Sequence, residues 1–332
     1  MARLNSSEIP SLDEDVISKL HARNIFSVYD FMSQPCEDLM RITGTTFKRI
    51  EETREFFLKN FGGEQLNTLK IHDQEFEDVI PIGLNNLDSL LQGGLHCRYI
   101  YEICGAPSAG KSQLCHWISA RVTQNSSAEV HYIDTSKNFC ASRIQMILEA
   151  KQSSDEIVGK VMSNIRVYRI ISIYDLLGVL HNLADQAKKS KTSVKRIIII
   201  DSLPILFSLI PPYEMNRHLS NVASVCRFIV NTGQAIVVIV NSLRTERDRT
   251  IFAASTTTTL DDESSRLTTL VDTRPSLGTY WQLVPNVRLL ISRVEDSSRR
   301  EISLWKSMQL TEIGKKCNVE IVDGGFLQVI GD

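Results

Sequence analysis

Gly105-Ala106-Pro107-Ser108-Ala109-Gly110-Lys111-Ser112 sets two glycines, a lysine and a hydroxyl at the spacing G-x-x-x-x-G-K-[ST]. Each residue type suits an anion. Gly105 and Gly110 let the backbone wrap closely and take conformations that a side chain forbids. Loop amides and the positive end of a following helix then face the anion. Lys111 reaches β- and γ-phosphates as a point charge, and Ser112 offers Mg²⁺ a hard hydroxyl oxygen. A glycine turn before a helix also arises by chance, so context decides. An apolar stretch from Tyr99 to Cys104 leads into the motif, and an amphipathic run from Gln113 to Ala120 leaves it. Strand, loop and helix in that order predict a nucleoside triphosphate site with Gly105 through Gln113 at its floor.

A second acid completes such a site. Lys195-Arg-Ile-Ile-Ile-Ile200-Asp201 is an apolar strand that ends in a carboxylate. Open α/β sheets bind ligands at the carboxyl ends of their strands. Asp201 is therefore expected to hold the water shell of the Mg²⁺ that Ser112 ligates.

The elements around these residues alternate. Apolar segments at Tyr99–Cys104, Val130–Asp134, Ile165–Ile171, Ile197–Asp201 and Ala235–Asn241 are separated by helical patterns over 141–151, 173–188 and 217–231. Continuous apolar strands between helices predict an α/β fold, a mostly parallel twisted sheet with helices on both faces. Ile82 to Leu95 reads as a helix closed by a glycine C-cap. Ile302–Trp305, Val319–Val322 and Phe326–Val329 alternate and predict antiparallel edge strands, with Arg299-Arg300 as a solvated hairpin tip.

Residues 1–60 read as a small all-helical N-terminal domain, 61–80 as a linker and 81–332 as the large domain. Ser11-Leu-Asp-Glu14 has the pattern of a capping box, and Leu12, Val16, Ile17 and Leu20 line one face of the helix it would start. Helices are expected at 27–33, 35–42 and 46–59. The turn Ile42-Thr43-Gly44-Thr45 has two readings, a phosphate-holding hairpin turn or plain packing. Leu66, Leu69, Ile71 and Phe76 of the linker suit docking on a neighbouring protein or packing on their own core.

The chain has 332 residues, 42% of them hydrophobic and 23% charged, with a net charge of −2. That length suggests two domains, or one large domain with an appendage. The charge excludes bulk attraction to nucleic acid, so any such contact is local. Seven cysteines without C-x-x-C spacing point to reduced thiols and hence to the cytosol or nucleus. Neither a zinc cluster, a membrane span nor a signal peptide is expected.

Taken together, IGLNNLDSLLQGGLHCRYIYEICGAPSAGKSQLCHWIS, HYIDTSKNFCASRI, IIIIDS and VVIVNS resemble the RecA/Rad-fifty-one recombinase family over nearly the whole chain. Ala141-Ser-Arg143-Ile144 and the segment Arg274-Pro275-Ser-Leu-Gly-Thr-Tyr-Trp281 are most like the D-type branch of its paralogues. The resemblance implies a RecA-like P-loop ATPase core with ATP and Mg²⁺ as cofactors. It implies a nuclear role in homologous-recombination repair and a hetero-oligomer with other paralogues, the C-type and the X-ray-repair paralogue. The other implied partners are the recombinase filament and single-stranded DNA. Arg143 matches a family arginine that packs on adenine; its other reading is a helix-face arginine in water. Pro275 matches the segment that caps a neighbouring subunit's nucleotide.

Departures from the family bear on mechanism. Its catalytic members carry a glutamate where Ser136 stands, a glutamine where Ser242 follows Asn241, and an arginine at the place of Ser108. A hydroxyl cannot accept a proton as a carboxylate does, so hydrolysis is expected to be weak or partner-dependent. Glu102 and Glu246 are the alternative bases. Family DNA loops correspond to about 208–218, with Tyr213, Arg217 and His218, and to 243–273, with Arg244, Arg247, Arg249 and Phe252. The second loop also carries Glu246, Asp248, Asp261, Asp262 and Glu263, which leaves DNA binding and a solvated loop as two readings. Three functions stand: a paralogue that assists the filament, a DNA-stimulated strand-exchange ATPase, or a scaffold with structural nucleotide.

Overall fold

The structure, a computed structural model, describes residues 3–4, 9, 12–63, 67–69, 78–126, 128–189, 194–208, 210–232, 234–244, 274–294, 297–308 and 313–329. Two compact units divide the chain, Met1–His72 and Asp73–Asp332. The first is helical: α1 (Glu14–His21), α2 (Val28–Ser33), α3 (Cys36–Thr43) and α4 (Phe47–Phe61). Val16, Ile17 and Leu20 of α1 face inward, and Phe31 of α2 meets Phe57 of α4 edge-on at 5.3 Å. The capping box expected at Ser11–Glu14 does not start α1. Asp13 is the N-cap and makes no side-chain cap bond, while Ser11 lies outside the described residues. A capping box forms one helix later, where Ser27 Oγ accepts from the Asp30 amide and Asp30 accepts from the Ser27 amide. Gly44 closes α3 at φ +71°, in the left-handed region that favours glycine.

The second unit opens with β1 (Val79–Ile80), α5 (Asn85–Leu90) and β2 (Leu95–His96), the two strands pairing antiparallel. The helix is shorter than the 82–95 pattern suggested and lacks a glycine C-cap. Its chain exits through Leu91 and a left-handed Gln92 at φ 56°. Before it, the Asp88 carboxylate accepts from the amides of Ile82, Gly83 and Leu84, which fixes the bend at Gly83. Leu66, Ile71 and Phe76 lie outside the described residues, and Leu69 is exposed.

The large sheet follows in chain order as β3 (Ile100–Gly105), α6 (Lys111–Ser126), β4 (Glu129–Asp134), α7 (Ala141–Glu149), α8 (Asp155–Ser163), β5 (Ile165–Arg169), α9 (Ile173–Lys189), β6 (Arg196–Asp201), α10 (Pro212–Thr232) and β7 (Ala235–Arg244). The remainder is β8 (Arg274–Pro275), α11 (Gly278–Trp281), β9 (Val287–Arg293), β10 (Arg299–Ser307), β11 (Lys316–Val322) and β12 (Gly325–Gln328). Strands run in the order β12-β11-β10-β9-β3-β7-β6-β4-β5, with β8 paired to the end of β7. From β9 to β5 the pairs are parallel; β9 to β12 is the expected antiparallel extension.

Both faces of the sheet are buried, and β6 shows why its four isoleucines are needed. Ile197 and Ile199 pack with Trp117, Tyr101 and Leu114 on one face. Ile198 and Ile200 pack with Leu176, Val222 and Ile239 on the other. A strand alternates its side chains, so a doubly covered strand must be apolar throughout.

Three boundaries differ from the sequence reading. Helix α8 was not anticipated; it is capped by Ser154 and buries Val158 and Val161. β5 stops at Arg169, leaving Ile171 exposed. Helix α10 begins at Pro212, five residues before the pattern at 217, because proline is tolerated in a first turn, where its missing amide has no partner.

Trp117 of α6 is fully buried, donates to the Ile82 carbonyl at 3.0 Å and lies under the turn into β12. A Cβ at Gly325, whose φ is +108°, would lie 2.5 Å from Trp117 Cε3. Gly325→Ala is expected to lower the unfolding free energy by about 2–3 kcal/mol in a urea titration, combining backbone strain with overpacking. An unchanged midpoint would contradict this packing.

Candidate nucleotide site

The phosphate loop leaves the carboxyl end of β3, a strand with neighbours on both sides. Its two glycines are forced by what surrounds them. A Cβ on Gly105 would sit 2.6 Å from the Ile291 carbonyl oxygen, and one on Gly110 would sit 2.7 Å from Ile321 Cδ1. Ser108 and Gly110 are left-handed at φ 59° and 108°, which turns the loop back on itself before α6. Lys111 Nζ donates to the carbonyls of Gly105 and Ala106 at 2.8 and 2.7 Å, so the lysine braces its own loop. Burial pushes its ammonium pKa down, and the charge of Asp201 acts the other way.

A cavity of about 530 Å³ opens over this loop, lined by Ser108, Lys111, Ser112, Gln113, Arg143 and Arg300, with Ile321 to Asp323 as its far wall. That size and a floor of backbone and cationic groups fit a nucleotide. Ala106, Pro107 and Ala109 complete the loop. Arg143 is not a water-exposed helix-face arginine. Its Nε donates to Gln113 Oε1 at 2.8 Å, its Nη2 to the Val322 carbonyl at 2.7 Å, and its Nη1 to the Asp323 carbonyl. The guanidinium plane is thereby fixed at the cavity edge.

Asp201 ends β6, beside Asp134 in the β4–β6 ladder. Tyr132 Oη donates to Asp201 Oδ2 at 2.7 Å, and Oδ1 has no donor among the described residues. Tyr132 is itself stacked on His116 at 5.6 Å and meets Phe139 edge-on at 4.8 Å. Burial lowers the His116 pKa, and its Nε2 accepts from the Cys140 amide. This aromatic pile orients the acid. Among the described residues no group of three or more His, Cys, Asp or Glu could hold a metal unaided. A hydroxyl on Ser112 and one open oxygen on Asp201 are instead the hard, sparse donors of an Mg²⁺ that keeps waters and phosphate oxygens. The residues present therefore fit ATP with Mg²⁺.

The alternative bases fare differently. Ser136 sits in a turn organised by Asp134, which accepts from the amides of Ser136, Asn138 and Phe139. Glu102 is fully buried in mid-strand, where Arg288 Nε donates to Oε2 and Asn241 Nδ2 donates to Oε1 at 2.6 Å. Asn241 Oδ1 in turn accepts from Ser276 Oγ at 2.7 Å. Glu102 and Asn241 thus belong to a sealed network that ties β3, β7 and β9 to the chain after β8. Sequence reasoning missed that network. Glu246 lies outside the described residues.

The DNA candidates are only partly described. Arg217 and Tyr213 stand exposed on α10 rather than in a loop, and His218 of the same helix is buried. Arg244 is the last residue of β7, and Arg247 and Arg249 lie outside the described residues. The start of α10 and the end of β7 lie at the carboxyl edge of the parallel strands, as the phosphate loop does. Pro275 pairs with Leu243, and Ser276 N donates to the Ser242 carbonyl. Arg300 is the clearest omission. Read as a solvated tip, it is instead the second residue of β10 and donates from Nε to the Ala109 carbonyl at 2.9 Å.

Comparison with known proteins agrees with this architecture. The Rad51 family profile matches residues 77–257, and that of the RAD51D N-terminal domain matches residues 1–59. The chain is 25% identical to the DNA repair protein RAD51 homolog 4 of Bos taurus, over 94% of this chain and 91% of that one. It is 26% identical to the Mus musculus protein of the same description, over 92% and 91%. Among solved structures, the RadB recombinase superposes with a TM-score of 0.55 at 17% identity, covering 76% of this chain and all of the other. That match shows a RecA-like fold.

Glu102→Ala would strand a buried Arg288, whose Nη2 already lacks a partner among the described residues. It is expected to cost about 3–5 kcal/mol in denaturant unfolding, as for other broken buried pairs. A loss below about 1 kcal/mol would contradict the structural role assigned to the pair.

Proposed function

The chain belongs to the Rad51 family, and on that premise we propose that it is an ATP-binding recombinase paralogue of homologous-recombination DNA repair. It binds ATP with Mg²⁺ through the phosphate loop, turns it over weakly, and joins a nuclear hetero-oligomer of related paralogues that assists the recombinase filament on single-stranded DNA. The carrying observation is a pairing of opposites. A cavity lined by the phosphate loop and Arg143, with Asp201 held by Tyr132 at the end of β6, supports triphosphate binding, whereas Ser136 stands where the family has its water-activating carboxylate and Glu102 is buried in other bonds. The relatives' description as DNA repair proteins supports the biological setting.

Each residue then has a role. Lys111, which now donates to two loop carbonyls, would turn to phosphate oxygens of a bound nucleotide. Ser112 and Asp201 would hold Mg²⁺, which would supply neutralisation of phosphate charge. Arg143 presents a fixed planar face to the base, and its three donated bonds keep it from following solvent. Gln113 secures Arg143. Arg217, Arg244, Arg247 and Arg249 are the cations for a DNA backbone.

A second reading, with nucleotide as structural glue, draws on the same Arg143 bonds, which join the site to the β11–β12 turn. It differs by leaving DNA binding unaffected when Arg244, Arg247 and Arg249 are replaced.

The deciding experiment is equilibrium ATP binding and single-turnover hydrolysis by the full chain, with and without single-stranded DNA. Lys111→Ala is expected to weaken binding by at least about tenfold. Wild-type turnover is expected to be negligible, and Ser136→Glu to raise it by about 10²-fold. Robust DNA-stimulated turnover by the wild type would overturn the proposal.

A further inference from the structure

Arg300 is partly buried at the start of β10, 191 residues from the loop it touches. A guanidinium has five N–H donors. Three are committed to backbone carbonyls: Nε to Ala109 at 2.9 Å, and Nη1 to Ser297 and Arg299 at 2.9 and 2.8 Å. Its two Nη2 hydrogens have no acceptor among the described residues, and no carboxylate there pairs with the charge. The side chain borders the same cavity as Lys111 and Ser112. An arginine held by carbonyls alone, with one amino group left over at an anion-shaped cradle, lacks an anionic partner.

We propose that Arg300 is a nucleotide-site residue that fixes the phosphate loop through Ala109 and offers Nη2 to the phosphate tail of the bound nucleoside triphosphate. The inference deepens the nucleotide-binding reading above and rests on it. The antiparallel extension thereby contributes a cation for the phosphate tail beside Lys111 of α6, while Arg143 lines the same cavity. Planarity favours arginine here: Nε and Nη1 anchor the group while Nη2 keeps a fixed direction.

The test is binding of ATP, ADP and adenosine by the full chain carrying Arg300→Ala, Arg300→Lys or Lys111→Ala, with thermal unfolding of each variant. Arg300→Ala is expected to weaken ATP by about tenfold or more and adenosine by less than about twofold, as for loss of one charge-assisted phosphate contact. Arg300→Lys should recover part of the ATP affinity, since it restores charge without the fork. Equal loss for ATP and adenosine would overturn the phosphate role and leave only a loop clamp. Wild-type ATP affinity in Arg300→Ala, beside a defective Lys111→Ala, would overturn the proposal alone. A wild type that binds no ATP would overturn the nucleotide reading on which it rests.

Discussion

The backbone of Gly105 lies so close to β9 that any side chain would collide with the Ile291 carbonyl. This approach is the constraint on which the site depends. It brings the antiparallel extension directly under the phosphate loop, where Ile321 packs on Gly110 and Arg300 reaches the Ala109 carbonyl. The same extension turns at Asp323 to meet Arg143 and presses Gly325 onto Trp117. A motif usually described as strand, loop and helix is here also backed by strands from the far end of the chain. Its shape is set by tertiary contacts as much as by its own glycines.

A second constraint lies within the sheet. Glu102, Asn241, Arg288 and Ser276 form a buried polar group that joins the strand entering the phosphate loop to the two strands beside it. Buried charge is tolerated only when paired and hydrogen-bonded, and the group meets that demand apart from Arg288 Nη2. By occupying Glu102 and Asn241 structurally, it removes two groups that could otherwise face the nucleotide. Weak turnover, as proposed, is consistent with where these side chains are held.

The legibility of the chain follows the range of the interactions involved. The phosphate loop could be read because its chemistry is contained in eight consecutive residues, and β6 because a doubly covered strand must be apolar at every position. Alternating strands and helices were enough for the parallel sheet, and residue alternation within three short strands for the antiparallel extension. Arg300 was misread because its partner is set by the β9–β10 register and by the fold of the whole sheet, neither of which local pattern encodes. Arg143 was half legible: its type suited a planar contact, but two of its three acceptors are carbonyls 179 and 180 residues away. The early start of α10 was hidden in Pro211-Pro212, which reads equally as a loop or as a first helical turn. Helix α8 was obscured by Gly159 and by valines that suit a strand as well.

The account stands most directly on where nucleotide binds. Amide hydrogen exchange of the full chain, with and without ATP and Mg²⁺, would show this segment by segment. Binding at the assigned site predicts slowed exchange in the Gly105–Gln113 loop and in the Val322–Gly325 turn that holds Arg143. ATP binding that leaves both segments unprotected would contradict it.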